Sequence, residues 1–275
     1  RRIAYARAGD ELVATVDDGA GQRAHRIVFR RAPGAAAAAG EGRHPIDVRR
    51  LAKPDKGGIP VVEGHFGDRR THLIVDLGAG SSVIDDQLAA ALGLAIRSGE
   101  AVATATGDKQ GAVGPIDGVP LELGPLGVVP LTFYSVALPA YLRERGIGAI
   151  LSPQQLVRAG GVVELDFVGG AMRLLADDHA DDGGGPGLGP ITVCHRAGGE
   201  NVHFIVEARI DGRSAWLQLD SGALEGSLTA TTPLAAAVAV DQGARATIAG
   251  VAGSVEVERT APLAVTIGGL SQRLV

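Results

Sequence analysis

Laid over itself at a displacement of 144 residues, the chain aligns without a gap from residue 61 to residue 126. Val61-Val62-Glu63 falls on Ile205-Val206-Glu207, Leu73 on Leu217, Asp76 on Asp220, and Gly78-Ala79 on Gly222-Ala223. Further along, Leu121, Leu123, Gly124 and Leu126 meet Val265, Ile267, Gly268 and Leu270. A single displacement that matches both ends of such a window reads as an internal duplication, which restricts the chain to folds built from two like units.

Each copy opens with a hairpin pattern. A strand (61–66 or 205–210) is followed by a turn at Gly67-Asp68 or Asp211-Gly212, then by a strand that ends in Asp76 or Asp220. After the first of these the pattern predicts a short amphipathic helix, with Asp85 at its N-cap, Leu88, Ala91 and Leu92 on one face and Gly93 at its end. The first copy continues through Leu131–Val136, Ile147–Leu151, a short helix opened by Ser152-Pro153, and the strands Val162–Phe167 and Ala171–Leu175. On this pattern the second copy stops about 45 residues short of the first. Glycine at 41 positions, mostly between short apolar runs, favours many short strands, and an aromatic content of 3% means aliphatic cores.

These features predict an all-β fold with a few short helices: two tandem barrel lobes with a cleft between them. Residues 1–50 are expected to form an accessory β segment and linker, 51–178 the first lobe, 179–190 a glycine-rich tether and 191–275 the second lobe. A net charge of −5 with no basic stripe argues against a nucleic-acid partner. No run reaches the ~18 apolar residues of a membrane-spanning helix. The lone Cys194 excludes an internal disulfide framework and a cysteine-rich metal site, and no cofactor or metal is expected. The first residue is Arg1 rather than Met, from which an upstream segment is expected; the compartment stays open, with an exported (periplasmic or extracellular) protein favoured.

The chemistry concentrates in Leu73-Ile74-Val75-Asp76-Leu77-Gly78-Ala79 and Leu217-Gln218-Leu219-Asp220-Ser221-Gly222-Ala223. In each, a strand delivers a carboxylate at its end, and a glycine two residues later lets the chain turn away while backbone N–H groups hold the acid. These segments resemble the retropepsin-like aspartic peptidases, whose signature is two apolar residues, Asp, Thr or Ser, Gly, then Ala or Ser. The second segment matches that signature; the first departs from it at Leu77, where a hydroxyl residue is expected to brace the two loops across the pair. Ile150-Leu151-Ser152 resembles a second family segment, with Ser152 where the family has glycine.

The resemblance implies an aspartic endopeptidase in which Asp76 and Asp220 share one proton, because adjacent like charges cannot both ionise cheaply. One carboxyl would take a proton from water while the other polarises the scissile carbonyl, with no covalent intermediate. It also implies substrate contacts at Gly78, Ala79, Gly222 and Ala223. A flap is expected around Thr106, Gly107 and Asp108, with Gly250–Ser254 as its counterpart. The implied partner is an extended peptide or protein that adds to strand edges. The dyad would form within a monomer of pseudo-two-fold symmetry or between the chains of a homodimer.

Two alternatives stay open. The departures at Leu77 and Ser152 also suit a degenerate lobe pair that binds peptides or a protein without cutting. Val75-Asp76-Leu77-Gly78-Ala79-Gly80 resembles the first motif of Rossmann-type methyltransferases, although the preceding hairpin pattern and the short following helix do not. His65 and His72 flank a turn without zinc-ligand spacing, and the Asp177 to Asp182 cluster reads as solvated linker.

Overall fold

The computed structural model describes residues 2–8, 11–17, 25–30, 43–49, 58–95, 114–158, 162–166, 170–175, 191–195, 202–228, 232–238, 240–250, 253–267 and 270–274. The chain divides into two compact units, Arg1–Ala37 and Ala38–Val275. In the first, β1 (Arg2–Ala8), β2 (Glu11–Asp17) and β3 (His25–Arg30) make an antiparallel sheet in that order. In the second unit, β4 (Arg43–Arg49) runs antiparallel to β5 (Ile59–Phe66), pairing Ile46 with Val62. Arg43–Arg49, which the sequence grouped with the N-terminal segment, is therefore a strand of the sheet that follows.

That sheet closes on itself. β5 and β6 (Arg69–Val75) form the expected hairpin, and β7 (Ser82–Asp85) leads into α1 (Asp86–Ala91). β8 (Pro115–Glu122) and β9 (Val128–Val136) form a second hairpin around a 3-10 turn. After α2 (Ala140–Arg143), β10 (Ile147–Leu151) inserts parallel to β6 and antiparallel to β7. β7 lies parallel to β9, and the pairing of His65 with Glu122 joins β8 back to β5. The ring is thus β5, β6, β10, β7, β9, β8, a closed six-stranded barrel. Beyond it, α3 (Pro153–Arg158) precedes β11 (Val162–Asp166) and β12 (Ala171–Leu175), and β12 pairs with β4 outside the ring.

Side-chain alternation explains the closure: inward positions such as Leu73, Val75, Leu121, Leu131, Phe133 and Leu151 are buried in one aliphatic core. Its few rings include Phe66 and Phe133, edge to face at a centroid distance of 5.4 Å. A smaller cluster on the outer face gathers Val61, Ile74, Leu138, Leu142, Ile147 and Ile150. At the start of α1, Asp85 occupies the N-cap position but its side chain does not cap the helix. Its Oδ1 accepts instead from the Leu138 N–H at 2.9 Å, a buried donor that would otherwise lack a partner.

The remaining strands are β13 (Ile191–His195), β14 (Val202–Ile210), β15 (Arg213–Gln218), β16 (Val240–Gly250), β17 (Gly253–Thr260), β18 (Leu263–Ile267) and β19 (Leu270–Leu274), with α4 (Pro233–Ala237) before β16. β14 pairs with β13, β15 and β18, and β16 with β17 forms a separate hairpin. β14 and β15 meet in the register of β5 and β6: Val61 faces Ile74 and Val62 faces Leu73, as Ile205 faces Gln218 and Val206 faces Leu217. The Asp211-Gly212 turn carries positive φ at both residues, 47° and 80°, which Asp and Gly tolerate.

The two hairpins differ in their surroundings. β6 is flanked on both edges, its outer edge taken by β10, and Leu73, Ile74 and Val75 are buried. Among the described residues β15 pairs with β14 alone, and Trp216 on it is 63% exposed. Between Ile191 and Val275 the buried apolar side chains among the described residues are Val206, Ala208, Ile210 and Val265. Among the described residues no helix is long and apolar enough to cross a membrane.

Candidate functional site

Asp76 follows the last residue of β6. Its N–H donates to the Leu151 carbonyl at 2.9 Å, so the strand inserted beside β6 fixes where the acid leaves the sheet. Asp220 stands two residues beyond β15, and the Leu219 N–H before it donates to the Phe204 carbonyl at 2.8 Å. In both loops the acid is held by the amide two residues on. Gly78 N–H donates to Asp76 Oδ1 at 2.7 Å and Gly222 N–H to Asp220 Oδ1 at 2.9 Å. Asp76 Oδ1 also accepts from the Ala79 N–H at 3.2 Å.

The two loops lie against each other, and their glycines are the contact. A Cβ on Gly78 would come within 2.7 Å of Asp220 Oδ2, and one on Gly222 within 2.7 Å of Asp76 Oδ2. No side chain fits between carboxyl and opposite backbone, so glycine at both positions is a condition of the approach. Each carboxyl thus lies against the backbone of the opposite loop, Asp76 against Gly222 and Asp220 against Gly78. Asp76 is partly withdrawn from solvent whereas Asp220 is exposed.

Burial, then the charge of Asp220 and the hydrogen bond to it, push Asp76 up to about 7, against the opposing pull of the Gly78 and Ala79 amides. A carboxyl in that state keeps its proton through the acid range and can share it with its neighbour.

The bracing of the loops is asymmetric. Ser221 Oγ donates to the Val75 carbonyl at 2.7 Å and accepts from the Leu77 N–H at 3.0 Å. Residue 77 has no hydroxyl with which to reciprocate. Two side chains that the sequence had not singled out act on the same loop. Gln154 Nε2 donates to the Leu77 carbonyl at 2.6 Å, and Gln218 Nε2 donates to the Gly78 carbonyl at 3.0 Å. The sequence carried one signal for the latter: at a displacement of 144, polar Gln218 stands over the buried Ile74. Gln154 carried none.

Ser152, in the position where glycine was expected, is fully buried; its N–H donates to Ser82 Oγ at 3.0 Å and its hydroxyl to Gln154 Oε1 at 3.0 Å. Leu224 packs beside Ala79 and Val83 on the smaller apolar cluster, giving the second loop an apolar hold on the barrel.

Of the other sequence-selected positions, Ala223 is exposed, and Thr106, Gly107 and Asp108 lie outside the described residues. Gly250 and Gly253 pair at the end of the hairpin of β16 and β17, and Arg259 on β17 reaches Glu225 at 3.3 Å, five residues after Asp220. His65 lies 3.6 Å from Glu63, which also pairs with Arg70. Asp76 follows the second strand of an antiparallel hairpin, and the six-residue α1 after it is not the long helix of a nucleotide-binding motif.

Comparison with known proteins adds one match. No curated protein matches the chain. Residues 62–151 match the family model described as aspartyl protease, a span that runs from β5 to the end of β10 and includes Asp76. With the closed barrel, that match supports an aspartic-protease-like fold for this part of the chain.

Proposed function

We propose that this protein is an aspartic-type endopeptidase, hydrolysing peptide bonds with water activated between Asp76 and Asp220. The observation that carries the proposal is the mutual approach of the two loops, each Asp carboxyl lying against the glycine of the other, with Asp76 raised to about 7. While Asp76 keeps its proton, one oxygen of the pair can accept a proton from water and another donate to the scissile carbonyl. Neither residue is assigned the acid or the base alone.

In this proposal residues 51–178 and 191–275 are two lobes related by duplication and joined by 179–190. One chain suffices to form the dyad. The substrate is an extended peptide lying across Gly78, Ala79, Gly222 and Ala223, with the hairpin of β16 and β17 beside it. A second reading, a lobe pair that binds peptides without cutting them, draws on Leu77, which leaves the Ser221 hydroxyl without a counterpart.

Incubation with an unfolded protein substrate from about pH 3 to pH 8 tests the two. Pepstatin-sensitive cleavage that Asp220→Ala abolishes supports the peptidase. Saturable peptide binding without turnover at any pH would leave the binding module in its place.

A further inference from the structure

Leu77 and Ser152 depart from the peptidase pattern separately in sequence, but in the fold one side chain connects them. Gln154, itself buried, holds the Leu77 carbonyl through Nε2, and its Oε1 accepts from the Ser152 hydroxyl. The Leu77 carbonyl can only accept, so the donor end of the amide is the one aimed at the loop, and the Ser152 hydroxyl anchors the other end. Ser152 is fixed in turn by Ser82 in β7, which makes the support continuous from the barrel wall to the loop carrying Asp76. With glycine at 152 the oxygen end of the amide would lose this anchor.

Gln218 works from the other side. It sits on β15, two residues before Asp220, and its Nε2 reaches the Gly78 carbonyl across the dyad. The same nitrogen lies 3.1 Å from His203 Nδ1 on the neighbouring strand β14, which accepts its second proton. The carbonyls of Val75, Leu77 and Gly78, all beside Asp76, are thus held by Ser221, Gln154 and Gln218.

We infer that Gln154, oriented by Ser152, and Gln218, oriented by His203, are positioning residues that fix the Asp76 loop in place of the hydroxyl residue 77 lacks. The inference deepens the peptidase proposal and rests on it for its catalytic meaning; the positioning itself can be read without turnover. Neither glutamine touches the reacting atoms. Their effect reaches the dyad through the backbone, by holding Gly78 and Leu77 where the Asp76 carboxyl meets Asp220.

The test uses Gln154→Leu, Gln218→Leu and the double variant, each alone and combined with Leu77→Thr. The carboxyl 13C signals of the dyad are followed through a pH titration, and kcat and KM are measured on a peptide substrate. In the double variant the high carboxyl midpoint is expected to fall by about one unit or more as the loops separate. The same variant should lose at least about tenfold in kcat with KM nearly unchanged. Leu77→Thr, which supplies the missing hydroxyl, is expected to recover much of both.

Gln218 is exposed, so Gln218→Leu keeps the test valid if the buried Gln154 variant unfolds. A folded variant with wild-type midpoint and kcat would overturn the inference. A shifted midpoint in a protein that cuts no peptide would retain it and remove the peptidase proposal instead.

Discussion

Leu77 and Ser221 stand 144 residues apart in the chain, yet the N–H of the first donates to the hydroxyl of the second at 3.0 Å. The same hydroxyl donates onward to the Val75 carbonyl, so one side chain satisfies backbone groups on both sides of Asp76. Ser221→Ala removes both bonds and leaves a partly buried amide and carbonyl to find other partners. Urea unfolding is expected to show a loss of about 1–3 kcal/mol. Peptide turnover should fall by about tenfold or more through the displaced loop. Unchanged stability and turnover would mean that the hydroxyl bridge is incidental.

The glycines between the carboxyls give a sharper steric prediction. In Gly222→Ala the new methyl would overlap the Asp76 carboxyl, so the loops must part or the acid must rotate. The expected cost is about 1–3 kcal/mol of stability. The dyad should lose its raised midpoint, measured by carboxyl 13C titration. Gly226→Ala, where a Cβ would meet nothing within 4 Å, is the control and should behave as wild type.

The raised Asp76 makes stability depend on pH with a defined sign. Below the ordinary carboxylate value of 3.8 the acid is protonated in folded and unfolded chains alike, and it contributes no difference. Between 3.8 and about 7 the unfolded chain ionises while the folded one keeps its proton, so this group makes stability fall as pH rises. Asp76→Asn cannot ionise. It is expected to match wild type in thermal unfolding near pH 3.5 and to be the more stable protein near pH 8, by about 1 kcal/mol or more. On the peptidase proposal, turnover should decline through a limb near pH 7. A variant less stable than wild type at pH 8 contradicts this account.

The unequal cores predict unequal local stability. The barrel buries Leu73, Val75, Leu121, Phe133 and Leu151, whereas β14, β15 and β18 bury a handful of small or branched side chains. Amide hydrogen exchange followed by mass spectrometry should find β6 and β10 protected at least about tenfold more than β15 and β16. Equal protection would show that the chain opens as one unit.

Much of this was legible in the sequence, for physical reasons that differ by residue. The hairpins were readable because alternation and turn residues are local, and the two Asp loops because a single displacement superposed them. What was not readable depends on contacts between distant segments. Asp85 has the composition of a helix cap, but the Leu138 amide, 53 residues away, claims its carboxylate. Arg43–Arg49 looks like the end of a linker and becomes a strand only because β5 and β12 offer it partners. Gln154 is an ordinary helix residue until Leu77 is seen beside it. Ser152 carries a local signal, a serine before proline opening a helix, that conceals its bonds to Ser82 and Gln154.

The chain's one tryptophan, Trp216, lies on the strand that has a single described neighbour, with its indole largely in water. The molecule therefore carries a built-in optical gauge. Whatever polypeptide comes to lie along β15 must strip water from that ring and move its emission toward the blue. A change in the tryptophan emission reports on this strand alone, with no label attached.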